Sequence, residues 1–414
     1  MKAFSLPIVL LFALALAACP STVDRRAQAG LDALAHCDMR AAASEFEQAQ
    51  QMDPTRGDIA LAYALTDLAI LLEDPALAAL APRLGFDRPI DTSLLWGEDG
   101  LLARLNRTRR CEDIESLIDH RFPHPSARPE GLNFIDTVDS TLTLGDLRST
   151  LVSISPRLAR IASALEVAAS DMSEGGVTFE VGCFAADPMR VQAPELLVLA
   201  AMLETVRAAT QIALAYDGDI QVVLLLSSHD DREDEWVSMM NDHILRLRDA
   251  NALVQARAML GRPVSLVRQA ITAARQITTP TVDAIFDWTQ MPSVVLDDID
   301  AFAMAIEIGL GADGAVRIPR MTPALSIDLG SFFTNPLDFG SMGPLWSVRE
   351  DEYGKYTTFD GDRVERLLAP RFDQDPWASD APSRSFNIDW TFEDDVFGNT
   401  FNPRERWTRD FSCE

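Results

Sequence analysis

The chain has 414 residues, of which 47% are hydrophobic and 24% charged, and its formal net charge is −27. The hydrophobic share is ample for a packed core and excludes global disorder, and the length suffices for two or three domains. So acidic a surface repels phosphate backbones, which excludes nucleic acid as a partner and leaves divalent cations and basic proteins.

Residues 1–18 carry one charge, Lys2, then an apolar run from Ala3 to Leu16 and the small pair Ala17-Ala18. Basic tip, apolar middle and small residues at the cut are the layout of a secretory signal peptide. The run is too short for a retained span, which needs about 20 residues. With the cysteine that follows, Leu16-Ala17-Ala18-Cys19 resembles the lipobox of bacterial lipoproteins. The resemblance implies cleavage before Cys19, acylation of Cys19 by palmitate-type chains, and a membrane tether. Each buried methylene of such a chain contributes about 0.8 kcal/mol, so several chains anchor stably. Pro20, and no aspartate, follows the cysteine. By likeness to the sorting rule of enteric bacteria, this implies the outer membrane of a Gram-negative envelope. Loss of residues 1–18 removes Lys2 and makes the chain more acidic by one charge. No other segment is expected to be long and apolar enough to cross a membrane.

Residues 19–90 open with amphipathic patterns at Val23–His36 and Met39–Met52. Gly30 and Ala42 are small enough for two helices to approach closely, Phe46 fills the groove beside Ala49, and Pro54 starts the next helix by preventing the second from continuing. In that spacing the five residues resemble a tetratricopeptide repeat. The likeness implies a helical hairpin and a protein partner. One repeat length further on, Ala64, Ala76 and Leu80 fit, but Arg83 stands where a small residue is usual. Arg26 likewise stands in place of the family's tryptophan. An inner face of Ala27, Leu31 and Leu34 is apolar, offers no clamp for a peptide carboxylate, and is expected to be covered by neighbouring helices.

Residues 91–143 read as a linker, rich in proline around Phe122-Pro123-His124-Pro125, with short helix patterns at Leu101–Leu105 and Cys111–His120. From 144 to 310 helical periodicity returns. Leu147, Leu151, Ile154, Leu158 and Ile161 form a core-facing stripe, which Pro156 should kink or split. Further patterns span Ala193–Tyr216, Asp234–Leu260, Pro263–Ile277, Thr281–Thr289 and Val295–Ile308, with a short strand at Val177–Val181. The expected class is mainly α, as stacked antiparallel helix pairs in a tetratricopeptide-like solenoid or bundle. Residues 311–414 read as a loop-rich cap, since five of the seven tryptophans lie from Trp288 onward. Short strands are expected there at Ala315–Ile318, Leu325–Asp328 and Ser385–Thr391. The stretches Asp328–Pro336 and Phe392–Pro403 are similar to parts of uncharacterised bacterial lipoproteins, a likeness that implies no activity.

Four further cysteines, Cys37, Cys111, Cys183 and Cys413, make an even set that outside the cytoplasm allows two disulfides in three connectivities. The pairing Cys37–Cys111 with Cys183–Cys413 is favoured, the others staying open. Gly309-Leu310-Gly311-Ala312-Asp313-Gly314 has the letters of a dinucleotide loop. It follows a helix and precedes a strand, the wrong order for one, and reads as a helix end and turn. The acidic run His229–Glu235 lacks the order of an EF-hand loop and suits the start of a helix near Asp234. Asp217/Asp219, Asp360/Asp362 and Asp373/Asp375 read as turn flanks. His120 and His124 are separated by proline, and neither HExxH nor GxSxG occurs. No catalytic residue, metal site or cofactor is therefore assigned. The expectation is a non-enzymatic envelope lipoprotein that binds or scaffolds protein. The alternatives are a small-ligand or cation-binding lipoprotein, with its pocket between the helical stack and the aromatic cap, and an extracytoplasmic hydrolase with a dispersed site.

Overall fold

A computed structural model describes residues 21–71, 73–84, 138–173, 176–179, 189–223, 233–279, 288–311, 315–351, 354–373, 376 and 385–386. The fold class is mainly α, with small antiparallel strand pairs. Cys19, the two short helices expected in residues 91–143, most of the Thr281–Thr289 pattern and Phe392–Pro403 lie outside the described residues.

Helix α1 (Thr22–Ala35) begins at a capping box, Ser21 accepting from the Asp24 amide while the Asp24 carboxylate accepts from the Ser21 amide. A turn at Cys37, in the left-handed region at φ 57, leads into α2 (Met39–Met52), capped by Asp38. Gly30, Ala42, Phe46 and Ala49 are all buried in this hairpin. A Cβ on Gly30 would meet a Phe46 ring carbon at 2.7 Å, so the ring lies directly on the α1 backbone. Pro54 sits in the turn before α3 (Gly57–Leu71), rather than opening that helix. α4 (Pro75–Arg83) follows, with Asp74 as its cap. Leu34 joins the core, Ala27 is half-buried and Leu31 is exposed, so the apolar inner face is covered only in part.

Arg83, which stands where the repeat pattern expects a small residue, has another role here. Its guanidinium binds Asp139 at 2.9 Å and Asp146 at 3.0 Å, and the Asp139 amide donates to the Arg83 carbonyl. The end of α4 is thus held by charge to the segment that opens α5 (Leu144–Asp171).

Beyond that point the helices pack in series. α3 lies on α5, α5 on α6 (Ala193–Ala215), α6 on α8 (Ala250–Gln276), and α8 on α9 (Ser293–Leu310). One continuous core runs from Phe46 through Ala64, Ile161, Leu165 and Ala200 to Leu266, its many alanines letting the helices approach. Across it half-buried Arg157 binds the buried Asp67 at 2.7 Å, and Tyr63 donates to the same carboxylate.

Two expected breaks are not there. α5 runs unbroken through Pro156, whose missing amide frees the carbonyl of Val152, a residue on the exposed face where water reaches it. α8 likewise runs through Pro263. The expected long helix Asp234–Leu260 is instead divided at 244–249, between α7 (Glu233–His243) and α8, where Leu245 takes φ 45 and Asp249 caps α8. α6 also corrects an expectation. It is the one described helix long and apolar enough to cross a membrane, by length and composition alone. Packed against α5 and α8, it leaves Val198, Met202 and Val206 exposed.

The strands pair locally: β1 (Val177–Phe179) with β2 (Met189–Val191), and β3 (Ala315–Arg317) with β5 (Ser326–Asp328). β4 (Met321–Thr322) pairs with β8 (Ser385–Phe386), and β6 (Trp346–Asp351) with β7 (Gly354–Phe359). The β6–β7 hairpin is stapled to α7. Asn241 accepts from the Leu345 and Trp346 amides and donates to the Trp346 carbonyl, while Trp346 meets Trp236 edge-on at 6.2 Å. α10 (Ser331–Thr334) lies within the Asp328–Pro336 stretch, and α11 (Gly361–Leu368) continues as a 3-10 turn to Arg371. Arg371, buried, donates to the Ser331 hydroxyl and the Asn335 carbonyl and lies 4.5 Å from the Phe332 ring centre. Gly309 and Gly311 belong to the end and cap of α9, which precedes β3, in the order expected for a turn.

Candidate functional site: a polar cleft between four helices

The last turns of α5, the first turn of α6, the C-terminal half of α8 and one face of α9 enclose a cleft of about 610 Å³. Its position differs from the pocket expected under the aromatic cap; the walls are helices alone. α8 presents Ser265, Gln269, Thr272 and Gln276, all exposed and spaced four, three and four apart, so they form one stripe along a helix face. The opposite wall contributes Ser170 and Ser173 from the end of α5. Between them Met172, Leu197, Ala273 and Ile277 supply a narrow apolar strip.

The cleft is held in shape by ion pairs. Arg268 on α8 bonds Asp300 at 3.0 Å and Glu307 at 2.6 Å, both on α9. Arg262 on α8 bonds Glu166 on α5 at 2.5 Å and reaches Glu204 on α6 at 3.5 Å. Glu204, 3% exposed, also takes the Arg207 guanidinium at 2.5 Å. Burial pushes the Glu166 carboxyl above its usual range, the Glu204 charge adds to this, and Arg262 opposes both. Among the described residues, neither a histidine nor a cysteine lines the cleft. The Ser265 hydroxyl accepts from the Gln269 amide, so it is not paired with a base. Such a surface offers hydrogen-bonding groups and charge.

A second hollow, of about 540 Å³, is lined by Asp219, Asp234, Glu235, Asp242 and His243. Two acidic segments that look unrelated in sequence, Asp217/Asp219 and the run ending at Glu235, thus meet at α7. Asp217, Asp219 and His243 each bring a ligand atom within 4.8 Å of the others, the reach of a metal site. Asp217 is nevertheless committed. The same oxygen accepts from His243 Nδ1 at 2.8 Å and from Arg248 at 2.6 Å, while its other oxygen accepts from the Asp219 amide. Burial pushes this carboxyl up, but the His243 and Arg248 hydrogen bonds outweigh it and hold it at about 2. An arginine bonded to the would-be ligand opposes a divalent ion, so the cluster works as a joint between the end of α6 and the α7–α8 turn.

The residues singled out in the sequence are therefore dispersed. Gly30, Ala42, Phe46 and Ala49 form the first hairpin and Pro54 its exit, remote in sequence from either hollow. Cys37 is disulfide-bonded. Cys111, Cys183 and Cys413 lie outside the described residues, so the favoured pairing is not described. The cleft residues Glu166, Arg268, Asp300 and Glu307, and Arg262 that braces Glu166, were not singled out at all. A signal available for them was the stripe of uncharged polar residues Ser265, Gln269, Thr272 and Gln276 along α8. No protein-family model, no curated protein and no solved structure matches this chain.

Proposed function

We propose that the chain is an envelope lipoprotein, tethered by acylated Cys19 at the outer membrane, whose helical stack is a binding module for a protein partner. The tether rests on Leu16-Ala17-Ala18-Cys19. The observation that carries the binding role is the open, hydrogen-bonding cleft with the Ser265–Gln269–Thr272–Gln276 stripe on a floor braced by ion pairs. Small-molecule sites are mostly apolar and bury most of the ligand. A polar, open cleft suits the backbone and side chains of a polypeptide better, because each group it offers has a hydrogen-bonding partner there.

The test is a photo-crosslinking amino acid placed at Gln269 or Thr272 in the full chain, in cells, with the same label at exposed Asp32 as control. A discrete crosslinked protein at both cleft positions and none at Asp32 is the expected result. Crosslinks that are absent, or the same at all three positions, would contradict the binding role.

A further inference from the structure

The cleft's charge says what kind of group it takes. Arg268 is shared by two carboxylates, Asp300 and Glu307, which leaves one negative charge in excess at that wall. Glu166 stands on the other wall, its guanidinium partner among the described residues, Arg262, lying outside the cleft lining. α5 and α8 both end here, and a helix C-terminus presents unpaired carbonyls equivalent to about half a negative charge. α6 begins here with the opposite sign, but Glu195 answers it by accepting from the Gln192 amide at 2.5 Å. The sum is a negative potential over an apolar strip. Burial has already raised the cost of keeping Glu166 ionised, and an arriving cation offsets that cost.

We propose that this cleft binds a cation carried on an alkyl stem, as in a lysine or arginine side chain of an extended polypeptide or in a free polyamine. The charged head lies between Glu166 and the Asp300–Glu307 wall. The stem lies along Leu197, Ala273 and Ile277, the way long basic side chains cover apolar surface. Ser265, Gln269 and Thr272 hydrogen-bond the flanking backbone. The proposal rests on the cleft being the binding surface put forward above.

The experiment is calorimetric titration of the full chain in detergent with three probes. They are a peptide of alternating alanine and lysine, the same peptide with every lysine acetylated, and spermidine. The unmodified peptide is expected to bind, and acetylation to weaken it at least about tenfold. Glu166→Gln and Glu307→Gln are each expected to weaken it about fivefold, and Asp32→Asn, an equal change in net charge on α1, to leave it unchanged. Should Glu166→Gln impair folding, Thr272→Lys on the exposed face of α8 sets a competing cation in the cleft and is expected to weaken the peptide as strongly. Binding of spermidine with none of the peptide identifies a free amine as the ligand and keeps the cation assignment. Equal binding of the acetylated peptide, or an Asp32→Asn effect as large as the cleft variants, overturns it. A crosslinked partner whose contacting segment lacks basic residues overturns this proposal while leaving the scaffold role intact. Charge-dependent peptide binding without any crosslinked partner does the reverse.

Discussion

Replacing Asp217 by asparagine probes the joint between α6, α7 and α8. The carboxylate side chain is 5% exposed and takes the His243 and Arg248 hydrogen bonds on one oxygen. The Asp217 amide donates to the Arg246 carbonyl, and the Arg248 and Asp249 amides donate to Ala215, so the loop closes around this residue. With a folded value of about 2 against an ordinary value of 3.8, the ionised form stabilises the fold by about 2 kcal/mol. A depressed folded value means that this contribution is present above the unfolded value and is lost as pH falls toward 2. Asp217→Asn should therefore lower the unfolding free energy at pH 6–7 by about 2 kcal/mol, with urea denaturation as the assay. The gap between wild type and variant should shrink steadily as the pH is lowered from about 4. A gap that stays constant down to the lowest pH at which the chain folds would refute the reasoning, since it would make the loss one of shape and not of charge.

Gly30→Ala pushes a methyl into the Phe46 ring and should cost about 1–3 kcal/mol in urea unfolding, relieved by Phe46→Leu in the same chain. Arg157→Met strands the Asp67 carboxylate in the core between α3 and α5 and should cost about 3–5 kcal/mol, whereas Arg157→Met with Asp67→Leu should recover most of it. Pro156→Ala should raise the melting temperature, because it restores one backbone hydrogen bond to an exposed turn of α5 at no packing cost; a fall would mean that the proline shapes the helix.

Much of the helical content was legible because periodicity agrees with the core: the apolar stripe from Leu147 to Ile161 faces the interior of the structure. The capping boxes of Ser21 with Asp24 and Thr143 with Asp146 were signals passed over. The breaks were less legible. Pro156 and Pro263 suggested interruptions, yet a proline in a long helix costs only one hydrogen bond when the freed carbonyl is within reach of water. The real division at Leu245 carries no glycine or proline, because the bonds that close it come from Ala215, Asp217 and Asp338 in other segments. The cleft was hidden for a related reason. Its walls come from four helices, and Glu166 and Glu307 each look like ordinary surface carboxylates until α8 is placed between them. The staple of Trp346 to Asn241 spans more than a hundred residues, a separation that no periodicity reports.

The measurement that bears most directly on the account is intact mass spectrometry of the protein taken from membranes. The account predicts a chain that begins at Cys19 and carries fatty-acyl chains there, and a Cys19→Ser form that is neither acylated nor held at the membrane. A chain that begins at the same cysteine with a bare terminus, or one that keeps residues 1–18, would contradict it.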